Sequence, residues 1–524
     1  MTNAPRIPDW LLILAFCAFF FLWRLSSFGL IGADEPRYAQ VAREMVERHD
    51  WITPTLGGSA WLEKPPLYYW QAMIAYRLFG VSDWAARLPS VFDAAVLVFA
   101  VYWFLRWFRS KNLLDGALIL SCSAGIVGYA RAASMDMPLS AAFTIAMVAW
   151  YAWFENGSRL HLFLFYFFLA LAMLAKGPVG PFLVAIVIVI FAAVRSEWKK
   201  VWRALWIPGI LLFCVVALPW YILVQLRNPE FFRVFILEHN LARFGTNIFH
   251  HPQPFWYYLP VTLLGFTPAT VFVIVALVWA VREFRGRDSD ALNFFLVIWI
   301  AVIVVFFSIS QSKLPGYVLP AIPPGILLLA NYARRNPDDR PQFLLILLHS
   351  ILSAGLICAA FVLPALLFQH RLEWSSADII PLIVAVVLGL FIGAIFFKTG
   401  FNGLRVVTVF PAVLALAIAL RLAAPALDET LSARPISEAL SRVAPQNLPV
   451  AIVLVPRELE FGLQFYRNQI TVPRYELGEA PAGEHLVVAR EGFKNAFARD
   501  VPGRKIVYLG NFPAQRLEFF YVGR

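Results

Sequence analysis

The sequence predicts a polytopic α-helical membrane protein with a small α/β domain at its C-terminus. The 524 residues are 60% hydrophobic and only 15% charged, and the mean hydropathy is +0.69. Apolar runs of about 20 residues, the length that crosses a bilayer, recur along most of the chain. From Asp428 onward the composition changes to a balanced mixture of charges with short β-like runs.

Net charge and cysteine usage argue against a nucleic-acid-binding protein and against a fold held by disulfides or a metal. The formal net charge is +11, but the basic residues cluster in short loops, as membrane topology requires. We therefore expect no nucleic acid partner. The cysteines Cys17, Cys122, Cys214 and Cys358 each lie inside an apolar run without a CxxC spacing. They are typical of small side chains packed among helices, and not of disulfides or metal ligands.

The apolar runs predict about 13 membrane spans. The first run has no small-residue cleavage site, so we expect a retained span and not a removed signal peptide. Two long loops, 31–85 and 227–254, interrupt the series. The embedded domain is assigned to residues 1–427 and the C-terminal domain to 428–524. The predicted spans are 10–30, 86–108, 113–130, 136–154, 159–175, 179–195, 204–226, 255–282, 290–309, 314–333, 342–368, 377–397 and 402–422.

The distribution of Lys and Arg predicts the orientation. Every second loop is rich in cations, and the positive-inside rule places these loops in the cytoplasm. The N-terminus is then cytoplasmic, and an odd number of spans puts both long loops and the C-terminal domain outside. In a Gram-negative bacterium this is the periplasmic face of the inner membrane. The cation-rich loops hold Arg106, Arg109, Lys111, Arg195, Lys199, Lys200, Arg203, Arg282, Arg285, Arg287, Arg334, Arg335, Arg340, Lys398 and Arg405.

The C-terminal segment predicts a small α/β fold. It has no Gly-rich phosphate loop and no obvious catalytic cluster, so a packing or lid role is expected. The stretch ISEALSRVAP is typical of an amphipathic helix. The predicted strands are LPVAIVLV, EHLVVAR, RKIVYLG and LEFFYVGR.

The unusual polar residues all fall in loops assigned to the outer side. A charge at the centre of a membrane helix costs about 2.5–3.5 kcal/mol, so charges kept among the spans need a reason. A site in which carboxylates act on a reacting group and cations bind a phosphate would explain why these charges are kept. The set is Asp34, Glu35, Arg37, Tyr38, Glu63, Lys64, Arg131, Asp136, Lys176, Glu238, His239, Asn240, Arg243, His250, His251 and Lys313.

The first long loop predicts two short helices. One covers DEPRYAQVAREMVERHDW, which places apolar or small residues at helical spacing and charges on the other face. This pattern predicts a helix that lies flat on the membrane surface. The second helix begins at Pro66. The apolar positions of the first are Tyr38, Val41, Ala42, Met45 and Val46.

Structural explanations compete with the functional one at single residues. Asp34 could serve only as a stabilising carboxylate at a helix N-terminus. Lys176 and Lys313, each beside Gly or Pro, could be lysines at helix ends that reach toward water. His250 and His251 could simply sit at headgroup level. The shared outer side of the set favours a common site.

A group of motifs in this order resembles the aminoarabinose lipid A transferase family. That family belongs to the protein-O-mannosyltransferase-like, polyprenyl-phosphate-dependent glycosyltransferases. The resemblance implies a GT-C fold with two periplasmic interfacial helices and a periplasmic C-terminal domain. The motifs are DEPRYAQVAREM, WLEKPPLYYW, ARLPSV, RAASMDMPL, LAKGPVGP, EHNLARF, HPQPFWYYLP and SKLPGYVLPAIPP.

The resemblance implies an inverting transfer of a sugar from polyprenyl (undecaprenyl) phosphate to a periplasmic acceptor, with a lipid A phosphate as the type case. Membrane lipids are further partners, and a monomer is expected. A related hexose or uronic acid transferase acting on another glycan or on protein is one alternative. A lipid-linked sugar transporter or flippase is another, although no convincing internal repeat is seen and the charges gather at one face.

Motif position also implies residue roles. Asp34 matches the family's catalytic carboxylate, and Asp136 matches a further functional position. A divalent metal ion is suggested by the family, and Glu63 and His239 are its candidate ligands, although one carboxylate and one imidazole do not complete a zinc site. The residues expected at the donor phosphate are Arg37, Tyr38, Lys64, Lys176, Arg243 and Lys313.

Overall fold

The computed structural model describes residues 7–107, 113–242, 253–283, 290–336, 342–369, 376–445 and 448–523. Helices dominate this part of the chain. Eight of the described helices are long and apolar enough to cross a membrane, or nine if one bent pair forms a single span. The chain is therefore a polytopic membrane protein, as its composition predicts.

The secondary structure consists of long helices, short turns of π and 3-10 helix, and six strands. The α-helices are α1 (Asp9–Cys17), α2 (Asp34–Glu47), α3 (Leu67–Phe79), α4 (Asp83–Trp107), α5 (Leu113–Cys122), α6 (Ala124–Ala130), α7 (Asp136–Asn156), α8 (Arg159–Lys176), α9 (Val179–Arg195), α10 (Trp198–Ala204), α11 (Ile207–Arg227), α12 (Tyr258–Gly265), α13 (Thr270–Glu283), α14 (Ala291–Ile309), α15 (Ile322–Arg335), α16 (Phe343–Gln369), α17 (Ser376–Thr399), α18 (Leu404–Leu431), α19 (Arg434–Val443), α20 (Arg457–Arg467) and α21 (Lys494–Ala498). The π-helical turns are Ala18–Leu22 and Arg233–Ala242, and the 3-10 turns are Phe255–Tyr257, Pro315–Ala321, Gly400–Gly403, Tyr475–Leu477 and Pro513–Gln515. The strands are β1 (Thr55–Leu56), β2 (Ser59–Ala60), β3 (Val450–Val453), β4 (His485–Arg490), β5 (Ile506–Phe512) and β6 (Leu517–Val522).

Two predicted spans are broken, and the breaks meet. The span predicted at 113–130 divides into α5 and α6, and α12 and α13 form a pair bent by 114°. Pro268 stands in the second break, where its ring removes a backbone donor. The backbone N–H of Ala124 donates to the carbonyl of Thr267 at 2.8 Å, so each break supplies a partner for the other. The count of 13 spans stays a prediction.

The C-terminal segment forms a four-stranded sheet in the order β3-β4-β6-β5. Strands β3 and β4 are parallel, and the other pairs are antiparallel. All four strands and the amphipathic helix α19 coincide with the predicted segments. One apolar face of the sheet packs with α19 and α20 into a common core. The predicted α/β fold of this segment is confirmed.

The apolar face of α2 is covered by protein and not by lipid. Tyr38, Val41, Ala42 and Met45 are at most 6% exposed. They pack with side chains of α3 and with Phe465 of α20. The face predicted to rest on the membrane is therefore part of a small core. The second helix, α3, does expose large apolar side chains, namely Ile74, Leu78 and Phe79.

A buried ion pair fixes the loop that follows the first span. Arg87 of α4 donates to both carboxylate oxygens of Glu35, at 2.8 and 3.2 Å. The same carboxylate accepts from the backbone N–H groups of Ile31 and Ala133, at 2.9 and 2.7 Å. Both side chains are buried, and this network sets the position where α2 begins. Arg87 also donates to the carbonyls of Leu25, Phe28 and Gly29.

A second polar cluster joins the C-terminal segment to the membrane helices. Arg434 donates to Asp428 at the end of α18, at 2.7 Å, and to Asp83 at the start of α4, at 2.8 Å. The Tyr466 hydroxyl accepts from the backbone N–H of Leu30 at 2.7 Å. The sheet domain is thereby held against the loop that carries Asp34.

Candidate functional site

Asp34 is the first residue of α2 and stays accessible. Its side chain is 50% exposed, and it pairs with Arg37 at 2.5 Å between Oδ1 and Nη2. The guanidinium of Arg37 lies 5.2–5.9 Å from the ring centroids of Tyr38, Trp61 and Phe461. The aromatic rings hold the cation, while the carboxylate, stabilised at a helix N-terminus, remains open to a substrate.

Tyr38 is a neutral hydrogen-bond donor beside these charges. Its side chain is buried. Burial, with a further contribution from the negative charge of Asp34, raises the pKa of Tyr38 above its usual range. The hydroxyl therefore keeps its proton at neutral pH.

The second carboxylate, Asp136, begins α7 and pairs with a lysine from another helix. The Ser134 hydroxyl donates to Asp136 Oδ2 at 3.1 Å and accepts from the Asp136 backbone N–H at 3.1 Å. The ammonium group of Lys176, the last residue of α8, donates a hydrogen bond to Asp136 Oδ1. The same ammonium lies 4.4 Å from the ring centroid of Tyr317. The sequence motifs RAASMDMPL and LAKGPVG thus meet in one ion pair.

The Lys176 ammonium lines a cavity of about 390 Å³. Much of the lining is apolar, because it includes Phe182, Phe235, Phe306 and Phe307. A phosphate attached to a hydrocarbon chain would match this arrangement, with its charge at the lysines and its chain along the phenylalanines. The polar side chains of the cavity are Glu63, Lys64, Lys176, His239, Ser310 and Tyr317. We call this space the Lys176 cavity.

Glu63 and His239 meet in that cavity, with 3.6 Å between Oε1 and Nε2. Two donors at this distance could contact one ion. A zinc site needs three or four protein ligands, and among the described residues no group of three His, Cys, Asp or Glu side chains is close enough to hold a metal. The described donors therefore do not fit a zinc site on their own.

Lys313 does not line the Lys176 cavity. Its side chain lines a different cavity, although its ammonium donates to the carbonyl of Ser310, a residue that lines the Lys176 cavity. Arg243, His250 and His251 lie outside the described residues. Asp34, Arg37, Tyr38, Glu63, Lys64, Asp136, Lys176 and His239 gather around the Lys176 cavity and its rim.

Three further neutral residues belong to the site, and none of them was predicted from the sequence. Tyr129 of α6 interacts electrostatically with both Asp34 and Asp136. Tyr317 contacts Lys176, as described above. Gly316 approaches Asp136 so closely that a Cβ atom there would lie 2.6 Å from the carboxylate carbon and 2.8 Å from Tyr129. The Pro-Gly pair of SKLPGY was the available signal for this close contact.

Replacing Gly316 with alanine is expected to displace the Asp136 carboxylate and to lower activity by up to about 100-fold, since a misplacement of 1 Å can cost this much. Gly128→Ala is the matched control, because a Cβ atom at Gly128 of α6 meets nothing within 4 Å. The rate of the sugar transfer that the resemblance implies is measured for both purified variants and for the unchanged protein. Equal activity of the two variants would contradict the proposed contact.

Comparison with known proteins gives one family match and a set of relatives. The family described as dolichyl-phosphate-mannose-protein mannosyltransferase matches residues 10–235. The undecaprenyl phosphate-alpha-4-amino-4-deoxy-L-arabinose arabinosyl transferase of Pseudomonas paraeruginosa is 30% identical over 394 residues, which are 73% of this chain and 70% of that protein. The proteins of the same name from Yersinia enterocolitica and Pseudomonas aeruginosa are 31% and 32% identical over 62% of this chain. The chain spans 58% and 60% of the length of these two relatives.

A solved structure shares the fold. The crystal structure of ArnT from Cupriavidus metallidurans bound to undecaprenyl phosphate matches with a TM-score of 0.80 and 22% sequence identity. The match covers 98% of this chain and 97% of that chain. The apo structure of the same protein gives a TM-score of 0.76. The predicted GT-C fold is therefore confirmed.

Proposed function

The chain belongs to the undecaprenyl phosphate-alpha-4-amino-4-deoxy-L-arabinose arabinosyl transferase family, and on this premise we propose that it is an integral-membrane glycosyltransferase. It transfers a sugar from undecaprenyl phosphate to a phosphate of lipid A. The observation that carries this proposal is the Lys176 cavity. It combines Lys64 and Lys176 with apolar side chains and lies beside the carboxylates of Glu63 and Asp136. A soluble nucleotide-sugar donor has no hydrocarbon chain that could pack against the phenylalanines of this cavity.

Lys64 and Lys176 would bind the donor phosphate, while its polyprenyl chain follows the phenylalanines. The acceptor oxygen attacks the anomeric carbon, and the bond from that carbon to the donor phosphate oxygen breaks. Positive charge develops on the sugar and negative charge on the leaving phosphate, so the two ammonium groups stabilise the departing group. A single displacement inverts the configuration at the anomeric carbon.

Asp34 would act on the acceptor. With a hydroxyl acceptor it takes the proton as a general base. With a phosphate acceptor, already anionic at neutral pH, it orients the group and supports the positive charge on the sugar. Arg37 holds the carboxylate in place, and the protonated Tyr38 hydroxyl can donate to an acceptor or donor oxygen.

The site would face the periplasm of a bacterial inner membrane. The distribution of Lys and Arg supports a cytoplasmic N-terminus and a periplasmic C-terminal domain. A lipid-linked donor also suits this side, because it is delivered within the bilayer.

A reconstitution assay tests the function. The purified protein is placed in vesicles with lipid A and with undecaprenyl phosphate that carries radiolabelled aminoarabinose. We expect the label to appear on lipid A. Label that crosses the bilayer without changing its carrier would indicate a transporter. Transfer seen only with a hexose or uronic acid donor would keep the enzyme class and change the sugar.

Removing the Lys64 ammonium is expected to weaken use of the donor. Lys64→Ala should raise the KM for the lipid-linked sugar by about 10- to 100-fold, the value of one charged hydrogen bond. The control is Lys398→Ala, because Lys398 is an exposed lysine at the end of α17. Initial rates are measured while the donor concentration is varied. An unchanged donor KM would exclude Lys64 from phosphate binding.

A further inference from the structure

A polar cavity of about 790 Å³ lies between the C-terminal sheet domain and the helices α2 and α4. Helices α19 and α20 of the sheet domain form one side of it, and α2 and the start of α4 form the other. It shares no lining residue with the Lys176 cavity. We call it the arginine cavity, because its lining includes Arg43, Arg434, Arg442 and Arg467.

The lining of the arginine cavity carries more positive than negative charge. Its four arginines stand against two carboxylates, those of Asp83 and Glu438. Arg434 is balanced, because it donates to Asp83 at 2.8 Å and to Asp428 at 2.7 Å. Glu438 approaches Arg442 only to 4.0 Å, and both side chains are exposed, so this pair contributes little. An excess of positive charge therefore remains for a ligand.

The excess comes from arginines on both sides of the cavity. Arg43 of α2 is only 13% exposed, and its partner Glu47 does not line the cavity. Arg467 of α20 donates to a hydroxyl and to a backbone carbonyl, at 3.0 and 3.1 Å, and neither group carries a charge. Burial lowers the pKa of Arg467, so an anion beside it would stabilise the charged form. One anion in the cavity would thus meet cations of both domains.

Helix α19 contributes its polar face to the cavity. Ile436 and Leu440 pack into the core of the sheet domain, whereas Ser437, Ser441 and Arg442 line the cavity. A guanidinium presents a planar fork of donors that matches a phosphate group, and hydroxyls add neutral donors. The amphipathic spacing of α19 therefore places phosphate-binding groups on the side that faces α2 and α4.

The rim of the cavity lies where a membrane span begins. Val81 lines the cavity and is 39% exposed. It comes just before α4, which is long and apolar enough to cross a membrane. Leu78 and Phe79 at the end of α3 are 70% and 57% exposed, and Phe92 of α4 is 63% exposed. Lipid headgroups lie at the level where a span ends. A lipid can therefore place its phosphate at the arginines and its chains along this apolar surface.

We propose that the arginine cavity binds the phosphate headgroup of an anionic phospholipid of the surrounding bilayer. This lipid is not a substrate, and its site is separate from the Lys176 cavity. Its phosphate contacts Arg43 of α2 together with arginines of α19 and α20. The bound lipid thereby holds the sheet domain against α2, the helix that begins at Asp34. The inference goes beyond the proposed function, because binding is measured without any sugar transfer.

Thermal unfolding of the purified full-length protein in a neutral detergent tests this site. Phosphatidylglycerol or phosphatidylcholine is added, and native mass spectrometry counts the lipids that the protein retains. We expect phosphatidylglycerol to raise the Tm more than phosphatidylcholine does, and to be retained preferentially, because a ligand that binds only the folded state stabilises it. Equal stabilisation and equal retention of the two lipids would overturn the proposal.

Arg442→Glu is expected to raise the Kd for phosphatidylglycerol about fivefold or more, the contribution of one basic residue near an anionic lipid. The fold should survive, because Arg442 is 80% exposed. Arg499→Glu is the matched control, since it makes the same change in net charge. Arg499 is exposed and follows α21, which packs on the opposite face of the sheet. A Kd that is equal in the two variants would refute binding in the arginine cavity.

Val81→Asp tests the cavity with every arginine in place. A carboxylate at the rim should repel the lipid phosphate and weaken binding relative to Val81→Asn, which has nearly the same shape without the charge. Equal affinity of these two variants for phosphatidylglycerol would contradict the site. Inorganic phosphate is added in a parallel measurement. If it stabilises the unchanged protein as much as phosphatidylglycerol does at the same concentration, the ligand is a free phosphate and the lipid is rejected.

Discussion

Replacing Asp34 with asparagine is expected to lower sugar transfer by about 100- to 1,000-fold, the usual contribution of one group that stabilises charge in the transition state. The amide keeps the shape of the side chain but loses its negative charge. The change should leave the fold intact, because Asp34 is half-exposed and its ion pair with Arg37 spans a single helical turn.

Initial rates and the thermal unfolding of the purified variant check this expectation. Glu47→Gln is the matched control, since Glu47 lies in the same helix, is 45% exposed and also pairs with an arginine of that helix, Arg43. It should keep full activity. Asp34→Asn with more than a tenth of the normal rate, at about equal stability, would remove Asp34 from the chemistry.

Replacing the adjacent Glu35 with glutamine is expected to destabilise the protein by about 3–5 kcal/mol, because it leaves the buried Arg87 without its counter-charge. The amide can also accept fewer of the hydrogen bonds that the Glu35 carboxylate now receives from Arg87, Ile31 and Ala133. We expect poor expression and a markedly lower Tm in detergent.

The same Glu47→Gln control applies to stability, where an exposed pair contributes at most about 1 kcal/mol. Adjacent carboxylates would thus give opposite results: one variant inactive and stable, the other unstable. A Glu35→Gln protein with normal Tm and lost activity would mean that Glu35, too, takes part in the reaction.

The sequence could identify the charged residues of the site but could not separate these neighbours. Asp34 and Glu35 stand side by side in one motif, and their roles diverge because Arg87, 52 positions away, approaches only one of them. Lys176 and Lys313 also look alike, each beside Gly or Pro. Only Lys176 lines the cavity between the carboxylates and the phenylalanines, and this difference follows from packing that the hydropathy of the sequence does not encode.

The helices show the same division between local and distant causes. Apolar length predicted most of the long helices, because a run of about 20 apolar residues carries that signal by itself. The break before Ala124 depends on the carbonyl of Thr267, far along the chain. The apolar face of α2 was recognised from its spacing, but its covering by α3 and α20 follows from tertiary contacts.

The contact between the ring of Phe461 and the guanidinium of Arg37 joins the C-terminal domain to the site around Asp34. Phe461 belongs to the C-terminal domain and is one of three aromatic rings around the guanidinium of Arg37, which holds Asp34. Replacing this domain with an unrelated one would therefore remove a contact of the site. A chimera that takes this domain from a relative has to bring an aromatic side chain to the same point. Divergence of the C-terminal domain is thus constrained at this contact, as well as at the polar contacts that Arg434 and Tyr466 make with the rest of the chain.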